Sequence, residues 1–372
     1  MNDKKSILLA TAIAAVFLIA AIGSASANGV CCVDYPACTQ YFSATDTVTQ
    51  SCTFNDTMVC TECTGKPAVH ALVIGVDDIT IDGNGYALIG NVNEGDCEWI
   101  DETNPQSGCC GILNLEGYDN VTIKNLEIST FCNGIGLKGA WNNWVEDNRI
   151  DNCDIHDNGF NTGWSVSHGI HVVFTKNSTI INNTIHHNKG TGTGCGDGGN
   201  GVFVYGSGSG PNYMLIHNNT LYNNRKSGFF TKYMMRNSTL SNNTAYGNGF
   251  GDCHECAGIN FRCINTDSNI VEHNNCSGNY GSGIYIGGKY NDVRYNIANN
   301  NTCNGIFLGR SDGGSRDNDI YNNTVCRNEQ DGIDIVNYIV SKQKSYKIEN
   351  PFSMWGWINA RKLHPLCKGI DI

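Results

Sequence analysis

Asp154, His156 and Asp157 stand within four residues of one another, and His168 and His171 follow shortly after. Carboxylate and imidazole groups at such spacing are the materials of proton transfer. One group takes a proton, another returns it, and a third neutralises the developing charge. These five residues are the candidate catalytic set, and they could supply the base and the acid of such a transfer. The competing reading is a solvated polar turn, with Asp154-Ile155-His156-Asp157 lying in an inserted loop. Two further stretches have metal-like spacing: Cys60-Thr61-Glu62-Cys63, and Cys253-His254-Glu255-Cys256 with Cys263 and His273 nearby. No residue is assigned to a metal, because cysteines in an exported chain are read first as disulfide formers. His186, His187 and His217 fall at different places in the repeat described next, and form no column of ligands.

Such side chains need a frame, and the chain writes one repeatedly: Gly-Ile-x-Ile, a loop, then Ile-x-x-Asn-x-Ile-x-x-Asn. The opening glycines are Gly111, Gly134, Gly169, Gly201, Gly228, Gly258, Gly283, Gly305 and Gly332. Alternating apolar residues follow each, as in Ile170/Val172 and Ile284/Ile286, and period 2 places them on one face. A second strand is read with apolar residues five apart, as in Val145/Ile150 and Ile180/Ile185. Asparagine recurs behind it. One set is Asn148, Asn183, Asn219, Asn243, Asn274, Asn296 and Asn323; the other is Asn188, Asn224, Asn248, Asn279, Asn301 and Asn328. Asn tolerates left-handed backbone, and stacked amides can bond along an axis. One such unit cannot bury its apolar edge alone, so the chain is an array. Parallel strands cannot be joined by tight hairpins. The prediction is an all-β fold, a right-handed parallel β-helix of about nine or more coils, with the hand taken from crossover handedness. No Leu-x-x-Leu-x-Leu consensus supports a leucine-rich solenoid.

The alternation that buries Ile and Val leaves the residues between them on the outer face. Two and four residues after the glycines these are Lys138, His171, Phe203, Tyr205, Phe230, Lys232, Asn260, Arg262, Tyr285 and Phe307. Rings mixed with Lys, Arg and Asn suit a sugar chain. His171 aside, these form the candidate carbohydrate-binding strip, with Lys232 and Arg262 placed to meet a uronate carboxylate. Cover by inserts is the plain alternative.

Residues 1–27 read as a signal peptide: Lys4 and Lys5, an apolar run from Ile7 to Ile22, then Ala25-Ser26-Ala27. No second apolar run predicts a membrane span in the mature chain. The formal charge is −11, which argues against nucleic acid as a partner. All 19 cysteines lie beyond the leader, and residues 28–70 are read as a Cys-rich N-terminal cap, residues 71–338 as the β-helix, and residues 339–372 as a C-terminal cap or tail. Asn-x-Ser/Thr sequons such as Asn55, Asn120 and Asn275 permit glycosylation, but several arise from the Asn-Asn-Thr repeat itself.

Ile79-Thr80-Ile81-Asp82-Gly83-Asn84-Gly85-Tyr86, followed by repeated Gly-Ile-x-Ile and Ile-x-Asn-Asn-Thr-Ile units, resembles the NosD-like and carbohydrate-binding/sugar-hydrolase right-handed β-helix proteins. The resemblance covers roughly residues 71–338. It implies an exported protein whose partner is a polysaccharide or cell-surface glycan, with cleavage or modification as the enzymatic version: lyase, hydrolase or epimerase. It also implies, as other classes, a structural or adhesive protein contacting other surface proteins, and NosD-like metal handling. Against a polygalacturonase-like pattern, His168-Gly169 keeps only His-Gly. Against the epimerase-like Asp-Pro-His-Asp, residues 154–157 differ at one position. Calcium-dependent lyase chemistry needs carboxylates on adjacent strands, of which there are few. No cofactor is implied; calcium or another metal ion has no support in the sequence.

Overall fold

A computed structural model describes residues 46–335, apart from 62, 64–67, 94–96, 98–102, 105–107, 141–142, 161–165, 192–197, 207–212, 251–255, 263–264, 310–314 and 316, together with the backbone of Gly29–Val30 and Tyr41–Phe42. The stretches read as a signal peptide and as a tail lie outside these residues, and the segment 28–70 is described in part.

Polar–apolar–polar triplets separated by corners dictate the architecture. In one coil Val202–Gly206 forms the first strand, Leu215–His217 the second and Thr220–Tyr222 the third, before Phe229–Tyr233 begins the next coil. Strands of successive coils pair in parallel, register for register. Three long sheets result: A, eleven strands from Gly29–Val30 to Asp319–Tyr321; B, eight from Tyr41–Phe42 to Thr244–Tyr246; C, eleven from Asp46–Val48 to Ile333–Ile335. Ten spacings of about 4.8 Å make a rod of about 48 Å. Beyond Tyr246, sheet B continues as single bridges at Asn275, Ile297 and Thr324. Asp46–Val48, Cys52–Thr53 and Met58–Cys60 pair with the next coil, so the repeat reaches into the Cys-rich segment.

The core is one continuous apolar column from Val48 to Val325. Apolar residues five apart are not one strand. Ile180 and Ile185 are the buried centres of two three-residue strands on sheets A and B, with a corner between. Val145 lies outside that pair of positions: Val145–Glu146 pairs separately with Thr175–Lys176, and the true pair in its coil is Ile150/Ile155.

Each corner carries a polar ladder. Between A and B, Asn183, Asn219, Asn243, Asn274, Asn296 and Asn323 pass amide hydrogen bonds from coil to coil. Between B and C, Asn158, Asn188, Asn224, Asn248, Asn279, Asn301 and Asn328 do the same. A third ladder, before sheet A, holds Ser178, Ser238, Asn269, Asn291 and Asn318. Asn148 belongs to this third ladder, where its backbone N–H donates to Ser178 Oγ, and not to the A–B set in which counting from Val145 placed it. The left-handed residues are mainly those just before the ladder, such as Asn182 (φ 59°) and Asn218 (φ 53°). The opening glycine answers a close approach: a Cβ on Gly201 would stand 2.6 Å from Gly228 O and 2.9 Å from Asn224 Nδ2.

Disulfides join Cys60 to Cys63 and Cys97 to Cys132. Cys153 and Cys276 are core thiols, both pushed up by burial, Cys153 to about 12.

Candidate functional site

Asp154–His156 is a strand of sheet B, which corrects the expectation of an inserted loop. The triplet Asp-Ile-His buries Ile155 and leaves its neighbours on the outer face. Parallel pairing sets His156 against Ser129 on one side and His186 on the other, then Tyr222, then Tyr246. The rings stack in a column: His156 on His186 at 4.8 Å and 4°, His186 on Tyr222 at 4.6 Å, Tyr222 on Tyr246 at 5.1 Å. His186 thus shares a register position with His156, correcting the expectation that the histidines form no column. His187 is its neighbour at the corner, and His217 sits on sheet A beside Ser241.

Carboxylates frame this column. His156 Nδ1 lies 2.9 Å from Asp157 Oδ2 and its Nε2 lies 3.3 Å from Glu127 Oε1. His186 Nε2 lies 3.1 Å from Asp154 Oδ1, and its Nδ1 2.7 Å from His187 Nδ1. Lys189 pairs with Asp157. Burial raises the Asp157 carboxyl, but bonds to Lys189 and His156 outweigh it and hold the group below its ordinary value. Burial, then the His186 ring, lower His187. The set combines acceptors, imidazoles and one ammonium on an open face, which is the inventory proton transfer requires.

His168 and His171 are elsewhere. His171 is on sheet C in register with Phe203, Phe230, Asn260, Tyr285, Phe307 and Asp334, so the register of the predicted strip holds. Its exposure does not. His168, His171, Phe203, Phe230 and Asn260 are fully buried, and Tyr205 and Tyr285 nearly so. Val173, Phe203, Tyr205, Phe230 and Cys256 form a second apolar cluster on the outside of sheet C, with Phe174 packed against it. His168 lies flat on Phe203 at 4.3 Å and 3°. Lys138, Lys232, Arg262 and Phe307 are half-buried at its margins, and Lys138 Nζ donates to Asn104 Oδ1.

Cys60 and Cys63 are disulfide-bonded to each other, which removes the first metal-like motif. Of the second, residues 253–255 and 263 lie outside the described residues, Cys256 is disulfide-bonded, and His273 stacks on Tyr295 at 5.1 Å.

Sequence reasoning missed Glu127, His186, Lys189, Tyr222 and Tyr246. The signal was present: counting back two residues from Asn158, Asn188, Asn224 and Asn248 gives His156, His186, Tyr222 and Tyr246.

Among the described residues no helix is long and apolar enough to cross a membrane. A family model described as right handed beta helix region matches residues 193–339. No curated protein sequence matches the chain. Among solved structures, the Dettilon tailspike protein (gp208) aligns at 15% identity and TM-score 0.55, over 79% of this chain and 56% of that one. The periplasmic alginate epimerase AlgG aligns at 16% and 0.49, over 71% and 59%, and pectate lyase Pel9A at 15% and 0.46, over 80% and 68%. The chain thus spans a little over half the length of the first two. With its parallel sheets and the matched region, this chain is a right-handed parallel β-helix protein.

Proposed function

We propose that this is an exported surface protein that binds polysaccharide along the outer face of sheet B, and that Asp154, His156, Asp157 and His186 are the groups that meet the sugar. The observation that carries this reading is the open column His156–His186–Tyr222–Tyr246 with carboxylates and Lys189 along it. Tyr246 is exposed, and Phe250 and Tyr280 extend the aromatic surface at the next corner, their rings 4.5 Å apart. The stacked rings cover one another's faces, so the sugar meets their polar edges and the carboxylates, with ring faces offered at the end of the stack. The covered strip on sheet C lacks that access. The signal-like residues 1–27 and the disulfides support an oxidising destination. The imidazole–carboxylate pairs equip the same face for proton abstraction beside a uronate carboxylate.

The test is a binding and product screen of residues 28–372, oxidised, against neutral and uronic polysaccharides. Tyr222→Ala/Tyr246→Ala is expected to weaken binding by roughly 10-fold, and Lys232→Ala/Arg262→Ala on sheet C to leave it near wild type. Binding lost only in the sheet C variant would move the site. Failure of folded wild type to bind any glycan would favour a structural or adhesive role.

A further inference from the structure

We propose that Asp154, His156 and His186 form a binding site for a divalent transition-metal ion of the Zn2+ class. One donor atom from each residue lies within 4.8 Å of those of the other two. Glu127 Oε1, 3.3 Å from His156 Nε2, places a second carboxylate beside the set. Two imidazoles and a carboxylate suit Zn2+, Cu2+ or Ni2+, whereas Ca2+ calls for six to eight oxygens. Zn–N bonds of about 2.0–2.1 Å bring tetrahedral donors to roughly 3.4 Å apart, so the side chains must rotate to close the set, and the two rings give up their parallel stacking.

The fold supplies what such a site needs. Parallel pairing holds the two imidazoles one strand spacing apart without help from any loop. His156 Nδ1–H donates to Asp157 Oδ2, a carboxylate itself tied to Lys189, so an ion at Nε2 would take the place of the proton that Nε2 shares with Glu127 Oε1. Behind His186 lies His187, its Nδ1 2.7 Å from His186 Nδ1 and its Nε2 3.4 Å from the Asn223 amide; with an ion on His186 Nε2, His186 Nδ1–H donates to His187 Nδ1 and the Asn223 amide turns its oxygen to accept from His187 Nε2–H. That chain steadies the ring, and an ion would replace the direct contact between His186 and Asp154. The imidazole side chains are 20% and 14% exposed and the Asp154 side chain 49%. The nitrogens are therefore backed by protein while one side stays open to water or to a substrate oxygen. The site uses side chains that the glycan reading also places at the sugar, but it requires no sugar to form.

The test uses chelator-treated, oxidised residues 28–372 titrated calorimetrically with Zn2+, and with Ca2+ for comparison, in the absence of glycan. One equivalent of Zn2+ should bind and Ca2+ should not compete. His186→Ala and His156→Ala should abolish binding, Asp157→Asn should weaken it by about 10-fold or more, and His217→Ala on sheet A should leave it unchanged. Melting curves confirm that each variant is folded. On wild type, Cu2+ with ascorbate should oxidise His156 and His186, read by peptide mapping. The proposal is overturned if folded wild type binds no stoichiometric Zn2+, if binding survives in His186→Ala, or if oxidation maps to the peptide holding His254. A glycan result of either sign leaves these outcomes intact.

Discussion

His168 shows how a single buried side chain makes the whole rod sensitive to pH. Burial, then the nearby His171 and Lys232, hold its imidazole well below its ordinary value. Its Nδ1 takes a 3.4 Å contact from the Asn200 amide, and its ring rests on Phe203. Unfolded, the same ring binds a proton near pH 6.5. Below that pH the unfolded chain holds a proton the native state does not, so this stability is complete above pH 6.5 and is lost as pH falls. Burial likewise lowers His70 to about 4. Each such histidine costs about 1.4 kcal/mol per pH unit below its unfolded value. Urea unfolding between pH 7 and 5 should therefore show falling stability, with a shallower slope in His168→Gln. An unchanged slope would mean that native His168 takes up the proton too. Nothing in Ser167-His168-Gly169 announces this role, because a histidine's burial depends on what other coils place over it.

The corner ladders set the energetics of each element. Asn219 Nδ2 donates to Ile180 O and Asn243 Oδ1, and its Oδ1 accepts from both the backbone and side-chain nitrogens of Asn183. Asn219→Ala strips partners from several buried groups at about 1–3 kcal/mol each, and should cost about 3 kcal/mol or more by chemical denaturation. Asn218→Gly, one residue away on the exposed left-handed corner, should cost only a few tenths of a kcal/mol. If the two variants melt alike, the ladder contributes little. Two of the three ladders were legible in the sequence from Asn spacing. The third was not, because serines stand in some of its rungs and loops of varied length precede it.

A coil touches mainly its neighbours, so the rod should tolerate loss of a whole one. Deleting residues 201–227 joins Asn200 to Gly228 and brings Asn183 over Asn243 and Asn188 over Asn248. The shortened chain should keep its strand signal in circular dichroism and its Zn2+ site, while glycan affinity falls with Tyr222. Deleting half a coil should unfold it, and equal tolerance of both would count against independent coils. The sequence by itself determined the array, the inward-facing Ile and Val and the glycine positions, because each follows from a period of a few residues. Only the tertiary structure decided which positions share a column and which outer face stays open. His156 and His186 are thirty residues apart, joined through a loop of no fixed length, and meet by strand pairing alone. The predicted strip on sheet C is in register yet most of its rings are buried, while the sheet B column is half-buried and ends on the exposed Tyr246, because accessibility belongs to the packing of the whole rod and leaves no mark in any one repeat.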